Sequence, residues 1–143
     1  MSRHHANAQW SGSVPSGSGT MRLGKSGPTV GYNLTARVEE EKGTNPEQML
    51  AAALAGCFSM SLANMIEESG ADMSDVSVET DAVAHLERKD DGFWITRIDL
   101  STTVTAPGID REQVEAWAQR AKATCPVSKL YSSADISLTT TVT

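Results

Sequence analysis

Apolar and polar residues alternate with a period of two in several segments of this chain, the mark of half-buried strands. Residues 6–12 and 17–23 read as two short strands, with Gly12, Pro15 and Gly17 marking the turn between them. A third strand is expected over about 29–39. Val30, Tyr32, Leu34, Ala36 and Val38 share one of its faces, while Asn33, Thr35, Arg37 and Glu39 share the other. The segment 40–45 is polar and closes on Gly43-Thr44-Asn45. Two longer strands are expected at 75–88 and 93–106, joined by a hairpin turn at Lys89-Asp90-Asp91-Gly92. In the first, Val76, Val78, Ala82, Ala84 and Leu86 alternate with Ser77, Glu79, Asp81, His85 and Glu87, as in an antiparallel sheet with one wet face. Ile136, Leu138, Thr140 and Val142 alternate in a last strand.

Two stretches break this period. The run Met49-Leu-Ala-Ala-Ala-Leu-Ala-Gly-Cys-Phe-Ser-Met-Ser-Leu-Ala-Asn-Met-Ile66 carries no charge. Asn45 suits its N-cap, Pro46 the first helical position and Glu47 the positively polarised first turn, so a helix is expected from there to about Ser69, with Gly70 as its stop. Apolar residues surround this helix, which calls for burial all round. A chain of 143 residues covers such a helix with its own sheet on one side only, so a second copy is expected on the other. The run is long enough to span a bilayer, but alanines, Gly56, Ser59, Ser61 and Asn64 dilute it and Glu47, Glu67 and Glu68 bracket it, so no membrane span is expected. The second stretch opens at Asp110, with Gln113 three residues on, and its inner stripe is Val114, Trp117, Ala118 and Ala121. Pro126 breaks it, leaving room for a short helical turn. The expected class is α+β, with antiparallel sheets packed on a long central helix in one domain spanning 1–143.

Eighteen acidic residues against twelve basic ones give a net charge of −6, and no Lys/Arg cluster tracks phosphates, so nucleic acid is not an expected partner. The N-terminal residues contain no apolar h-region, so a cytosolic location, with thiols kept reduced, is expected. His4, His5 and His85 have no metal-ligand spacing with either cysteine, and no glycine loop cradles a phosphate. Neither a metal nor a cofactor is expected.

Chemistry then rests on Cys57, inside the uncharged run, and Cys125, directly before Pro126. A mid-helix cysteine is commonly just a small hydrophobe, and burial raises its pKa unless a cation is near. Arg37 is the candidate cation, though it reads more readily as an exposed arginine on the polar face of a strand. Glu47 reads as a helix-start carboxylate, and Cys125 as a helix-end residue. Spacing alone leaves the function open.

The stretch Glu41-Lys-Gly-Thr-Asn-Pro-Glu-Gln-Met-Leu-Ala-Ala-Ala-Leu-Ala-Gly-Cys-Phe-Ser-Met-Ser-Leu62 closely resembles the signature of the OsmC/Ohr family of thiol peroxidases, the osmotically inducible and organic-hydroperoxide-resistance proteins. Val104-Thr-Ala-Pro-Gly-Ile-Asp110 and Ala121-Lys-Ala-Thr-Cys-Pro-Val-Ser128 look like its later motifs. Ala8-Gln-Trp-Ser-Gly12 and the Cys-Pro-Val-Ser form favour the osmotically inducible branch. The resemblance implies an intertwined homodimer that reduces organic hydroperoxides in oxidative and osmotic stress. It makes Cys57 the peroxidatic cysteine, Cys125 the resolving one, and Arg37 and Glu47 the residues that activate the thiolate. It also implies a dithiol reductant carried as a lipoyl group on a partner protein. Glu47 precedes Cys57 by ten residues, about 15 Å along a straight helix, so it acts by orienting Arg37 or from a partner chain. Leu54, Phe58 and Met60, near Cys57 on the helix, are expected to line an apolar substrate pocket, unless they only pack core. A rival reading keeps the disulfide but not the turnover: a thiol-disulfide redox sensor or binding module. A third is a structural dimer with inert thiols.

Overall fold

The computed structural model describes residues 1–39 and 43–143, so part of the polar segment expected at 40–45, and the Glu41-Lys42 start of the family-like signature, lie outside the described residues. Two compact units emerge, Met1–Met49 and Leu50–Thr143. The first is an antiparallel sheet of β1 (Ala6–Ser11), β2 (Ser18–Leu23) and β3 (Thr29–Tyr32). Gly19 lies opposite Tyr32, and the Tyr32 ring occupies the space a side chain at 19 would need. Trp10 packs on the same ring with centroids 5.4 Å apart.

The expected strand over 29–39 ends early. Asn33 is the N-cap of a short helix, α1 (Leu34–Val38), and its side chain accepts a hydrogen bond from the Ala36 N–H at 2.8 Å. Alternation in so short a segment is compatible with either period, and the capping bond decides for the helix because it satisfies an otherwise orphaned N–H. Arg37 therefore stands on a helix, not on the polar face of a strand.

The long helix α2 runs Pro46–Glu68. Its start is a reciprocal capping box: Asn45 Oδ1 accepts from the Gln48 N–H at 2.8 Å, and Gln48 Oε1 accepts from the Asn45 N–H at 3.2 Å. Asn45 Nδ2 also donates to the Ala36 carbonyl at 2.7 Å, tying α1 to the head of α2. At the other end Gly70 takes φ +84°, the left-handed conformation that closes a helix at little cost for glycine.

In the second unit, β4 (Ser77–Lys89), β5 (Gly92–Thr105) and β6 (Asp135–Val142) form one sheet in that order. β4 and β5 make the expected hairpin, with a register shift at His85/Leu86. The sheets are antiparallel as expected except at one edge, where β6 pairs parallel to β5. The reason is the connection: α3 (Arg111–Thr124) and α4 (Pro126–Leu130) carry the chain back before β6 begins, as a parallel crossover requires. Asp110 caps α3 through the Gln113 N–H, and Val114, Ala118 and Ala121 face the core, with Trp117 packed at its margin.

α2 lies against this core by one stripe, Leu54, Phe58, Leu62 and Ile66, each fully buried, beside Ile98, Leu100 and Val104 of β5. Each such side chain contributes about 1.5–3 kcal/mol of burial. Ser59 Oγ donates to Thr80 Oγ1 at 2.8 Å, and Thr80 Oγ1 is 2.9 Å from Thr102 Oγ1, so a polar chain fixes the helix to the sheet. The opposite face of α2 is uncovered in the single chain: Leu50, Ala52, Ala53, Gly56 and Met60 are exposed, and Met60 is 72% so. Burial all round is thus not achieved within one chain. α2 has the length and apolarity to cross a membrane, but its buried stripe belongs to a protein core.

Candidate active site

Each unit brings together one pair of the expected residues. In the first, α1 presents Arg37 and the first turn of α2 presents Glu47, and Arg37 Nη2 lies 2.6 Å from Glu47 Oε1. The carboxylate is largely buried while the guanidinium remains partly exposed. Glu47 Oε2 is buried and has no hydrogen-bond partner among the described residues. Such an oxygen costs desolvation free energy that a donor arriving later would recover. Arg37 also borders an apolar cavity of about 190 Å³ walled by Trp10, Val14, Tyr32, Leu34 and Pro46. It is the one charged side chain on that wall among the described residues.

In the second unit, the Cys57 thiol on α2 and the Cys125 thiol at the α3–α4 break lie near enough to shift each other's titration, and both cysteines are free. Their environments differ. Burial pushes the Cys57 thiol up from its ordinary value, the Val127 N–H opposes this, and the neighbouring Cys125 adds to the rise. Cys125 also suffers from burial, yet the Ser128 hydroxyl and N–H, together with Cys57 and the Val127 N–H, bring its thiol below the ordinary value. The two titrate as a pair, so their acidity belongs to both sulfurs together. The depression of Cys57 expected from a neighbouring cation is therefore not something its own unit produces.

Cys125 closes α3, its N–H donating to the Ala121 carbonyl, and simultaneously opens α4, its Sγ accepting from the Ser128 N–H at 3.3 Å. Ser128 Oγ lies 3.3 Å from the same sulfur. Pro126 sits at the first position of α4, where its missing N–H is no loss. The sequence reading places a break and a short helical turn at Pro126 and includes Ser128 in a family-like motif, but gives Ser128 no role at the sulfur. The legible signal was Cys-Pro-x-Ser, a capping residue, a helix-starting proline and a hydroxyl three residues on.

Of the residues expected to line a substrate pocket, Leu54 and Phe58 are 0% exposed and back the site from within the core, whereas Met60 is exposed. A smaller cavity of about 130 Å³ lies at the Leu50 end of the second unit, between Ile95, Ile98, Leu130 and Tyr131. The Tyr131 hydroxyl donates to the Leu50 carbonyl there at 3.3 Å.

A fold of three-stranded sheets and one long helix, with paired free thiols, defines a class, and comparison with known proteins agrees. The family model described as OsmC-like protein matches residues 39–141. Peroxiredoxin OsmC of Escherichia coli (strain K12) is 42% identical over 125 residues, covering 86% of this chain and 85% of that protein. Organic hydroperoxide resistance protein OhrB of Bacillus subtilis (strain 168) is 32% identical over 94 residues, 66% of each chain. A solved OsmC-like protein of unknown function from Vibrio cholerae superposes with a TM-score of 0.78 over 98% of this chain and 99% of its own. Its identity is 18%, so it speaks for the fold alone. The chain belongs to the OsmC-like family.

Proposed function

We propose that this protein is a peroxiredoxin-type antioxidant enzyme that reduces organic hydroperoxides to alcohols, with Cys57 as nucleophile and Cys125 as the resolving thiol. The observation that carries the reading is the nearness of two free thiols, close enough to shift each other's titration, as a peroxide-driven disulfide requires. The names of its relatives, a peroxiredoxin and an organic hydroperoxide resistance protein, support it.

The Cys57 thiolate attacks the distal oxygen of the hydroperoxide, the O–O bond breaks, and the leaving alkoxide takes a proton to become the alcohol. Cys57 is left as a sulfenic acid. Cys125 thiolate then displaces hydroxide from that sulfur, forming the disulfide and water and sparing Cys57 from further oxidation. A dithiol, supplied as a lipoyl group on a partner protein, returns the pair to thiols.

In this reading Arg37 supplies the cation that Cys57 lacks in its own unit, and Glu47 holds the guanidinium in place, either within one chain or from a second copy. Arginine's planar fork also orients the peroxide oxygens, which lysine's point charge does not. The uncovered apolar face of α2 is assigned to a homodimer, and Met60 on that face to the wall of the substrate site, backed by Leu54 and Phe58. An alkyl hydroperoxide buries carbon in such a site at about 25 cal/mol per Å², a gain that hydrogen peroxide does not have. The protein is assigned to the cytoplasm, where a reducing thiol pool sustains turnover.

The test is intact mass after one equivalent of cumene hydroperoxide on wild type, Cys57→Ser and Cys125→Ser. Loss of two hydrogens in wild type, with sulfenic acid trapped only in Cys125→Ser, is expected. Thiols that stay unreacted would leave a structural dimer. A disulfide that forms once, without catalytic consumption of peroxide under excess dithiol, would leave a redox sensor.

A further inference from the structure

Cys125 is 1% exposed, while Cys57 is only partly covered, so the two sulfurs differ in access. They differ also in their polar neighbours. Ser128, itself 6% exposed, directs both its N–H and its hydroxyl at Cys125 Sγ, and the hydroxyl has no other hydrogen bond among the described residues. A hydroxyl next to a protonated thiol either gives or takes the hydrogen. Next to a thiolate it can only donate. The arrangement is therefore suited to a sulfur that must carry negative charge in a buried place.

Peroxide attack at Cys57 does not use this asymmetry, but the opening of a disulfide does. We propose that, once Cys57 and Cys125 are joined, an incoming dithiol attacks Cys57 Sγ and expels Cys125 as the thiolate, with Ser128 the positioning residue that receives the departing charge. The proposal rests on the reading that a Cys57–Cys125 disulfide forms. The bond from the reductant sulfur to Cys57 Sγ is made, the Sγ–Sγ bond is broken, and its electron pair leaves on Cys125. The second thiolate of the dithiol then attacks its own sulfur in the mixed disulfide. That cyclises the oxidised reductant and releases Cys57 as a thiolate, and water reprotonates what the pH requires.

Two physical arguments support this direction. Attack must come in line with the S–S bond, and of the two residues Cys57 is the one partly exposed in the single chain, Cys125 being 1% exposed. Exchange is also faster when the leaving thiol is the more acidic one, and Ser128, whose N–H and hydroxyl each lie 3.3 Å from Cys125 Sγ, is the chief of the influences that lower this thiol against its burial. A consequence distinguishes reductants. The expelled Cys125 thiolate stays beside the mixed disulfide and can reverse the step, so a monothiol is a poor reductant. A dithiol escapes this by completing the second step within one molecule.

The disulfide is made with diamide, so that no peroxidase activity is needed, and is treated briefly with 2-mercaptoethanol. Free thiols are then blocked with N-ethylmaleimide in denaturant, which makes the buried Cys125 accessible, and the peptides are mapped by mass. The adduct is expected on Cys57 and the maleimide on Cys125. An adduct on Cys125, or no disulfide with diamide, overturns the proposal. Ser128→Ala should slow dithiothreitol reduction of the same disulfide by about three- to tenfold and raise the Cys125 pKa in a Cys57→Ser background, with Ser128→Thr restoring both. Unchanged values in Ser128→Ala also overturn it. The adduct position is read on wild-type protein and needs no variant to fold. If wild type fails to consume cumene hydroperoxide while the adduct sits on Cys57, the peroxidase reading fails and the direction of opening stands.

Discussion

Cys57 stands in the middle of a 23-residue helix, whereas Cys125 stands in the break between two others. Inside α2 the backbone N–H groups are committed to carbonyls one turn back, so the helix offers its own cysteine no donor. At the break, the first N–H groups of α4 have no carbonyl behind them and turn to the cysteine that caps them. Burial therefore prevails at Cys57 and is outweighed at Cys125. A thiol's acidity here follows from its place relative to helix ends. A nucleophile placed mid-helix must import its stabilising charge from elsewhere, which is the part proposed for Arg37.

The strongest way to break this contrast is to remove each sulfur in turn. Cys57→Ser should reduce turnover of cumene hydroperoxide to the uncatalysed background. Cys125→Ser should keep one rapid turnover and then stop until a small thiol is added. Stopped-flow peroxide consumption separates the two patterns, and equal losses would erase the division of roles.

Next comes the imported charge. Arg37→Ala should lower the peroxide rate constant at neutral pH by at least about tenfold, because an unassisted thiol near its usual pKa of about 8.5 is only a few per cent ionised. The sign follows from the cation: removing it raises the Cys57 pKa, so the rate should climb with pH in the variant where the wild type has already levelled off. Arg37→Lys should keep part of the ionisation and lose most of the rate. Identical pH–rate profiles for wild type and Arg37→Ala would return Arg37 to a structural ion pair.

The two faces of the helix that bears Cys57 sharpen the comparison in free energy. Phe58→Ala should destabilise the protein by about 3–5 kcal/mol, as a fully enclosed ring leaves a cavity. Met60→Glu, on the uncovered face, should leave the chain folded but shift sedimentation from dimer to monomer at micromolar concentration. An unaltered dimer would take that face out of the interface.

Asn45 sets where the helix begins. Asn45→Ala should cost about 1 kcal/mol for the lost cap and about 1–3 more for the stranded Ala36 carbonyl, measured from denaturant midpoints. Asn45→Asp should recover the first part only, since aspartate accepts from Gln48 but cannot donate to Ala36.

The smallest effect lies far from either sulfur in character. Asp99 on β5 accepts from Ser137 Oγ at 2.6 Å and pairs with His85 at 2.7 Å, and these bonds hold its carboxyl below the usual range. A depressed carboxylate contributes stability that is complete above the unfolded value of about 3.9 and is lost as pH falls through the folded value. Acid unfolding of Ser137→Ala should therefore begin at slightly higher pH than wild type. Superimposable acid curves would show that this surface cluster is not linked to folding.

Local rules carried far in this chain because they depend on near neighbours in sequence. The Asn45-Pro46-Glu47 start, the Gly70 stop, the 89–92 turn and the Val114/Ala118/Ala121 stripe were all legible for that reason. So was the lack of a polar face on α2, which left one side uncovered in a single chain. The family-like block around Cys57 also marked Cys57, Cys125, Arg37 and Glu47 as candidates. Where two local preferences compete, alternation misled: Leu34–Val38 reads as strand until Asn33 is seen to cap it. Only the tertiary structure decided which partners met across long intervals. The parallel pairing of β6 with β5, the approach of two thiols 68 residues apart (125 minus 57), and the Arg37–Glu47 bond are such cases. Sequence also left Ser128 without a role at the sulfur, because a hydroxyl becomes part of a sulfur's environment only when the helix break turns it inward. Short-range hydrogen bonds can be read from spacing, whereas a thiol's acidity is set by burial and donors that folding assembles.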